Sequence, residues 1–498
     1  CPETGQTIAV EDKIEMERMS EETNEKRWTA CEISEFMQDE TLLRDIGVCC
    51  EGDQVEAILD GSYQIPDHLN PATKRVLKHM VKHPIIQHNP MPPVDIGLES
   101  HIYGWQHAKE GTASAPQTLD FSHYISSSYE CTVAEMDLIL REVPLQYGFA
   151  PDEWNPMADC FLPKKEDNLI PDTMRTICLM DAAYNMNAKW YGRQFMSHNE
   201  KLNTLSDDQG GGRKNKNCPE YLLKKVLTAD ISKQKRQAGF LGSTDAIQCY
   251  NRVVHSVAMI SMLRLGGDRN AVASFFKQFQ QAEHFVTTAH GMADRAYGGK
   301  KRQQEGKLPF QGVLQGNGMG PCIWLAISML LLTIMHCQGH VASFKSAMTA
   351  STIDMVGFLI VDDADLIFTA PTSSISAEEC LPKFQAMVDC WEENLRVTGG
   401  GIKPSKSFWY MLDYKWSKNK WEYLSAEDSP GEIFIREPNL ETRVPLERLE
   451  PSQSRMTLGV EIAMDGNQEG EKEYLRQKTE AFADNYRTAT GLDKDAAW

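Results

Sequence analysis

The stretch from Phe358 to Phe368 reads Phe-Leu-Ile-Val-Asp-Asp-Ala-Asp-Leu-Ile-Phe, two apolar, β-prone runs on either side of adjacent acids. A chain of this kind is best accommodated as a β-hairpin with carboxylates at its tip, because Asp tolerates the unusual dihedrals of a tight turn. Two carboxylates held together beside apolar walls repel one another, and bound divalent cations relieve that repulsion. Hard oxygen ligands suit Mg²⁺, which takes a few carboxylates plus substrate phosphates. The alternative for this segment alone is a surface hairpin with a polar turn.

Two further segments carry chemistry. Gly239 to Thr244 predicts a short strand ending at Asp245, and Tyr250 follows five residues later at the entry to an apolar helix over Arg252 to Leu265. Carboxylates that share metal ions converge from separate strands, and Asp245 supplies a third one; its other reading is an N-cap. Pro309 to Pro321 contains Gln315-Gly316-Asn317-Gly318-Met319-Gly320, a glycine-rich loop before an apolar helix, with Pro321 suited to the first turn. Such a loop lets backbone approach a nucleotide closely, or is simply a helix-start loop. A dinucleotide fingerprint needs Gly where Pro321 stands, and the Gly-Lys-Ser/Thr of a Walker loop is absent.

At 498 residues the chain exceeds one ordinary domain, and two to four lobes are expected. Its 13 cysteines lack the spacing of a secreted disulfide scaffold and read as reduced thiols of an intracellular protein, with no CxxC ribbon for structural zinc. There is no signal peptide, and the start at Cys1 reads as a piece of a longer reading frame. The apolar run Cys322 to Met335, about 14 residues, is short of the ~20 that span a bilayer and predicts a buried core helix. The net charge of −19 argues against nucleic-acid binding until its distribution is seen. Residues 1–60 hold about 17 acids against about 5 bases, whereas 185–240 hold roughly 11 bases against 5 acids. The basic stretch is able to meet phosphates.

Along the chain, the acidic 1–60 segment predicts a short helical extension or a disordered tail. Ala72 to His83 predicts a helix that breaks at Pro84, and the proline-rich 87–100 stretch predicts a linker before a folded region starting near His101. Cys131 to Val143 and Asp181 to Phe195 predict helices. Cys160 to Pro163 and Thr176 to Leu179 predict strands around a polar turn at Lys165–Asn168, and Gly210–Gly212 a loop. The irregular alternation indicates α+β. His79 and His83, with no partner in reach, read as a solvated basic helix face, and His255 as a helix-face histidine.

Taken in order, the three segments resemble the reverse transcriptase family: its motif A (Asp245), motif B (Gln315-Gly316) and motif C (Asp362-Asp363). The nearest likeness is to non-LTR, LINE-type retrotransposon polymerases, over about residues 100–490. Lys164 and Arg175 match residues that hold the incoming triphosphate in that family. Gln209-Gly210 followed by Arg213 and Lys214 matches a template-side loop; Lys406, in Gly400–Phe408, matches the motif D lysine; Thr457–Val460 is similar to the stretch before the thumb. Asn251 stands where relatives often have Asp, and Ile360-Val361 replace aromatic-Ala.

The resemblance implies an α+β right-hand polymerase. Its expected parts are an N-terminal extension and linker (1–100), fingers (101–238), a palm (239–446, with a finger-like insertion at 266–308) and the start of a thumb (447–498). It implies RNA-directed DNA synthesis with two Mg²⁺ ions, or Mn²⁺ in their place, on Asp245, Asp362 and Asp363. Tyr250 would exclude the ribose 2′-hydroxyl, or else pack at a helix start. Gln315 and Gly316 would line the templating base pair. Lys406 would protonate the pyrophosphate, or else contact a phosphate or solvent. The implied partners are an RNA template, a DNA primer and dNTPs, with no membrane, further domains of a longer polyprotein, and a nuclear place of action. The alternatives are an RNA-dependent RNA polymerase, which Tyr250-Asn251 and the Gln-Gly loop disfavour, and an inactive relic that only binds nucleic acid. No endonuclease or RNase H is legible in this stretch.

Overall fold

Strands that are far apart in sequence pair with one another, so the chain does not divide at the linear boundaries 100, 238 and 446. The computed structural model describes residues 9–116, 118–165, 168–346, 348–437 and 442–488. It separates into two units, between which the chain passes repeatedly. The first runs to Arg213 and includes Ala246–Gln338 and Cys390–Gly401; the second comprises Lys214–Asp245, Gly339–Asp389 and the chain from Ile402. In chain order, the elements used below are α1 (Lys13–Thr29), β1 (Pro156–Leu162), β2 (Arg175–Leu179), α2 (Ala182–Lys201), α3 (Cys218–Lys235), β3 (Gly239–Asp245), α4 (His255–Arg264), β4 (Glu283–Thr288), α5 (Gly320–Cys337), β5 (Gly357–Ile360), β6 (Asp363–Thr369), β7 (Phe408–Leu412) and β8 (Glu447–Leu449). The mixed α and β composition agrees with the α+β expectation.

The first unit is mainly helical, around a sheet in which β1 lies between β2, antiparallel, and β4, parallel. The apolar segment expected as a core helix is α5, started by Gly320-Pro321 and buried along most of its length. The N-terminal segment is no appendage: α1 buries Thr23, Asn24, Arg27 and Trp28, positions that share one helical face. Arg27 donates to Thr176 Oγ1 (2.6 Å) and to the carbonyls of Pro171 and Met174, while Trp28 packs against the tilted rings of His284 and Phe310. Its buried face is largely polar, which is why no apolar periodicity marked it.

The helix expected over Ala72 to His83 spans Pro71–His79, capped by Asn70, and Pro84 opens a separate short helix, Pro84–His88. His79 and His83 therefore do not share a helix, and both are half-buried, with pKa values lowered first by burial. His255 is fully buried at the first position of α4. It meets the Gly312 carbonyl at 2.7 Å, and burial takes its pKa down to about 4, so the ring is neutral. The turn expected at Lys165–Asn168 includes two residues outside the described ones.

The second unit is built on a five-stranded sheet in the order β8-β7-β3-β6-β5, antiparallel except for β7 with β8. Side chains alternate between its faces. On one face Phe240, Phe368 and Trp409 form an aromatic layer with Phe384, which sits so close to Gly242 that a Cβ there would lie 3.0 Å from its ring. On the other, Leu241, Ile367, Tyr410 and Leu412 pack with Tyr221, Leu222 and Ala229 of α3. Along this second face β3 and β6 change character, from the apolar Leu241 and Ile367 to Ser243, Asp245, Asp363 and Asp365. That change in side-chain type creates the site.

Candidate metal centre

The register of β3 and β6 pairs Asp245 with Asp363 and Ser243 with Asp365. Residues directly opposite in an antiparallel pair project to the same face, so acids from motif-like segments distant in sequence meet there. The expected hairpin is present: Ile360 pairs with Asp363 across a two-residue turn, Val361-Asp362. The strained position is not an acid, because Val361 holds φ +56°. A β-branched residue there is costly, and such strain concentrates at functional sites. Asp362 occupies the turn and Asp363 begins the strand.

The loop before β7 brings a cation to these acids. The Asp245 carbonyl accepts from Lys403 N (2.9 Å), and Asp245 N donates to Ser407 Oγ (3.1 Å), clamping the strand end to the 403–407 loop. Lys406 Nζ then lies 3.1 and 3.3 Å from the two Asp245 carboxylate oxygens. Asp363 stands at the open rim, and its carboxyl is pushed up to about 6. Withdrawal from water comes first among the causes, followed by the negative charges of Asp362, Asp245 and Asp365, with Lys406 opposing. A cation entering the site would relieve that repulsion.

Asp245, Asp363, Asp365 and Lys406 line a cavity of about 460 Å³ with Ser243, Thr244, Phe358, Ile360, Phe408, Glu447 and the Arg455–Leu458 segment. The strands Arg455–Thr457 and Val460–Ile462 form a hairpin whose two turn residues, Leu458 and Gly459, have φ +50° and +85°, the pattern of the tight turn that matches strand twist. The donor set is hard carboxylate oxygen, and Lys406 already stands where positive charge is called for. The residues thus fit a hard divalent ion such as Mg²⁺.

One residue of this cavity wall, Asp365, and its buried partner Lys225 were not singled out from the sequence. Asp365 is buried, and its Oδ2 accepts from Lys225 Nζ at 2.9 Å; Lys225, on α3, also donates to Thr457 Oγ1 at 3.3 Å. The two-residue step from Asp363 to Asp365 was the available signal for the acid. For the lysine it was its place on the helix face that carries Tyr221, Leu222 and Ala229.

The remaining candidate residues, Lys214 excepted, lie in the first unit. Lys164 and Arg175 are exposed at the two sides of the β1–β2 connection, where Leu162 pairs with Arg175. Gln315 and Gly316 form a loop strapped to β2 and α2: Cys178 N donates to the Gln315 carbonyl (2.7 Å), and Asn185 Nδ2 to that of Gly316 (3.3 Å). At Gly316, φ is +113° and a Cβ would lie 2.5 Å from the Cys178 carbonyl oxygen, so only glycine fits. Tyr250, in a short 3₁₀ turn, packs its ring against Gly320, and its carbonyl accepts from Val313 N.

The template-side loop needs correction. Gln209 is buried, donates to Ser328 Oγ and accepts from Gly211 N. Arg213 is buried too, and both sides of its guanidinium are taken, by Glu200 (2.7 and 2.9 Å) and by the Ser206 and Gln209 carbonyls. Gly210 is likewise buried. These residues shape the loop; in the second unit, Lys214 is exposed.

A second cluster with metal-ligating side chains, Asp159, Cys178 and His284, is fully buried in the first unit. Asp159 Oδ1 is met by His284 Nδ1 (3.1 Å) and Cys178 Sγ (3.3 Å), and Oδ2 by Tyr297 Oη (2.5 Å) and Asn24 Nδ2 (3.3 Å). Burial first, then Asp159, pushes the thiol and the phenol up, so both keep their protons and act as donors. The four groups thus solvate one buried carboxylate and tie α1, β1, β2 and β4 together. In comparison with known proteins, the chain matches no protein-family model and no curated protein.

Proposed function

We propose that this chain is the polymerase core of a reverse transcriptase, extending a DNA primer on an RNA template with dNTPs, of the non-LTR retrotransposon kind. The observation that carries this reading is the Asp245–Asp363 register, with Asp362 in the adjoining turn and Lys406 held on Asp245. On this reading the five-stranded sheet of the second unit is the palm of a right-hand polymerase, and the first unit supplies fingers. When bound, two divalent ions supply activation of the primer hydroxyl and charge neutralisation at the triphosphate. The protein's own part is positioning. Asp245, Asp362 and Asp363 hold the ions, Lys164 and Arg175 take triphosphate oxygens, and the strapped Gln315-Gly316 loop offers backbone to the base pair. Lys406, exposed and held on Asp245, would be the cation available to a phosphate oxygen.

The test is primer extension on an RNA template with Mg²⁺, using the full chain and Asp362→Asn. Metal-dependent DNA synthesis by the parent and its loss in the variant support the proposal. Extension that persists in the variant overturns the metal assignment. Synthesis only from ribonucleotides favours an RNA polymerase, and nucleic-acid binding without any synthesis favours a relic.

A further inference from the structure

Four carboxylates gather at the ends of β3 and β6, and two lysines answer them in different ways. Lys406 is more than half exposed (57%) on a surface loop, so it can move aside when a cation arrives. Lys225 is not free to do so. Its side chain is 2% exposed, it rises from the packed face of α3, and it is bonded at once to Asp365 and to Thr457. A buried ammonium of this kind is held in place by its partner, since separating the two leaves an uncompensated charge in the interior.

Asp365 shares the sheet face of Asp363 and lines the same cavity, so by position it is a fourth acid available to divalent ions. Its Oδ2 is already committed to the lysine. We infer that Lys225 is a resident counter-cation that keeps Asp365 out of the divalent-ion site, leaving Asp245, Asp362 and Asp363 to hold the ions. It is a positioning residue: through Asp365 it sets the charge and shape of the cavity wall, and through Thr457 it fixes the strand before the Leu458-Gly459 turn. The inference rests on the metal-centre reading proposed above.

The test is direct Mn²⁺ binding by the full chain, followed by paramagnetic resonance of the free ion, with no nucleic acid present. Lys225→Met keeps length and apolar packing but removes the charge. It should bind Mn²⁺ on the order of tenfold more tightly, or take up an additional ion, because a freed carboxylate stands beside the site. Lys225→Met combined with Asp365→Asn removes both charges, a change buried pairs often tolerate, and should return binding to the parent level. Unchanged affinity in folded Lys225→Met overturns the inference alone. So does a large loss of Mn²⁺ binding in the double variant, which would make Asp365 a ligand in its own right. That second measurement still decides if the single variant does not fold. A parent protein that binds no Mn²⁺ overturns the metal centre and the inference together.

Discussion

Asp245 and Asp363 stand opposite each other on neighbouring antiparallel strands, so acids from the middle and the later part of the chain share one sheet face at the mouth of one cavity. Their mutual repulsion, with that of Asp362 and Asp365, has no fixed remedy at Asp363. Lys406 contacts Asp245 and is exposed, and Lys225 is committed to Asp365.

A pH dependence follows. The Asp363 carboxyl, at about 6 in the folded metal-free protein against 3.8 for an ordinary Asp, keeps its proton where an unfolded chain has lost it. Its protonation therefore favours the folded state at low pH, and this contribution is lost as pH rises from about 4 through about 6. Divalent ions should reverse the trend by neutralising the ionised group. Thermal melts with Mg²⁺ and with chelator should differ most above pH 6 and converge below about pH 5. A separation that does not change with pH would place the ions away from Asp363.

Asp245→Asn should abolish extension without unfolding the protein. The ion pair it breaks joins an exposed Lys406 to a partly buried Asp245 at the surface, and pairs open to solvent contribute ~0–1 kcal/mol. The loss of activity should be on the order of 10²-fold or more, as for removal of a group that stabilises developing charge. Melting temperature and extension rate measured on one preparation separate the two effects.

The N-terminal segment should prove indispensable. Trp28 is 1% exposed and packs its ring against His284, and Arg27 and Asn24 bond to residues of β1 and β2 and to the connection preceding β2. Trp28→Ala should cost ~3–5 kcal/mol, read from denaturant unfolding. Deletion of residues 1–60 should leave no folded first unit, instead of the removable tail that its acidic composition suggests. A soluble deletion with a native melting profile would refute this.

Asp159→Leu should be similarly damaging, because it leaves Cys178, His284, Tyr297 and Asn24 without their shared acceptor. Stranding buried donors costs ~1–3 kcal/mol each before relaxation. If the cluster is a hydrogen-bonded tie, a zinc-selective chelator should not lower the melting temperature of the parent protein. A marked drop would identify a metal there.

What was legible in the sequence tracks where local chemistry decides structure. The hairpin around Asp362-Asp363 and the strand ending at Asp245 were readable because alternation and turn residues specify them locally. So was α5, from its continuous apolar run behind Gly320-Pro321. Residues whose roles are set by distant partners were not. Arg213 read as a phosphate grip because nothing near it in sequence reveals the enclosure by Glu200 and two carbonyls. Lys225 read as one basic residue among eleven. Its burial depends on Asp365, which reaches it only through the pairing of β6 with β3.

The last prediction concerns Tyr250 and separates DNA from RNA synthesis. Its ring is anchored at the start of α5 by Gly320, and its backbone is pinned by Val313, so the side chain has a defined place instead of a free swing. If the proposed function is right, that rigid ring lies against C2′ of the incoming sugar. Deoxyribose packs there, whereas a ribose hydroxyl must displace the ring or lose its hydrogen-bond partners, at ~1–3 kcal/mol. Since about 1.4 kcal/mol is a factor of ten in rate, discrimination of roughly tenfold or more is expected. Tyr250→Val should raise ribonucleotide incorporation while deoxynucleotide use falls less. The measurement is single-nucleotide extension with each substrate, expressed as the ratio of kcat/KM values. An unchanged ratio in a folded variant would make Tyr250 a packing residue of the α5 start and reopen the RNA-polymerase reading.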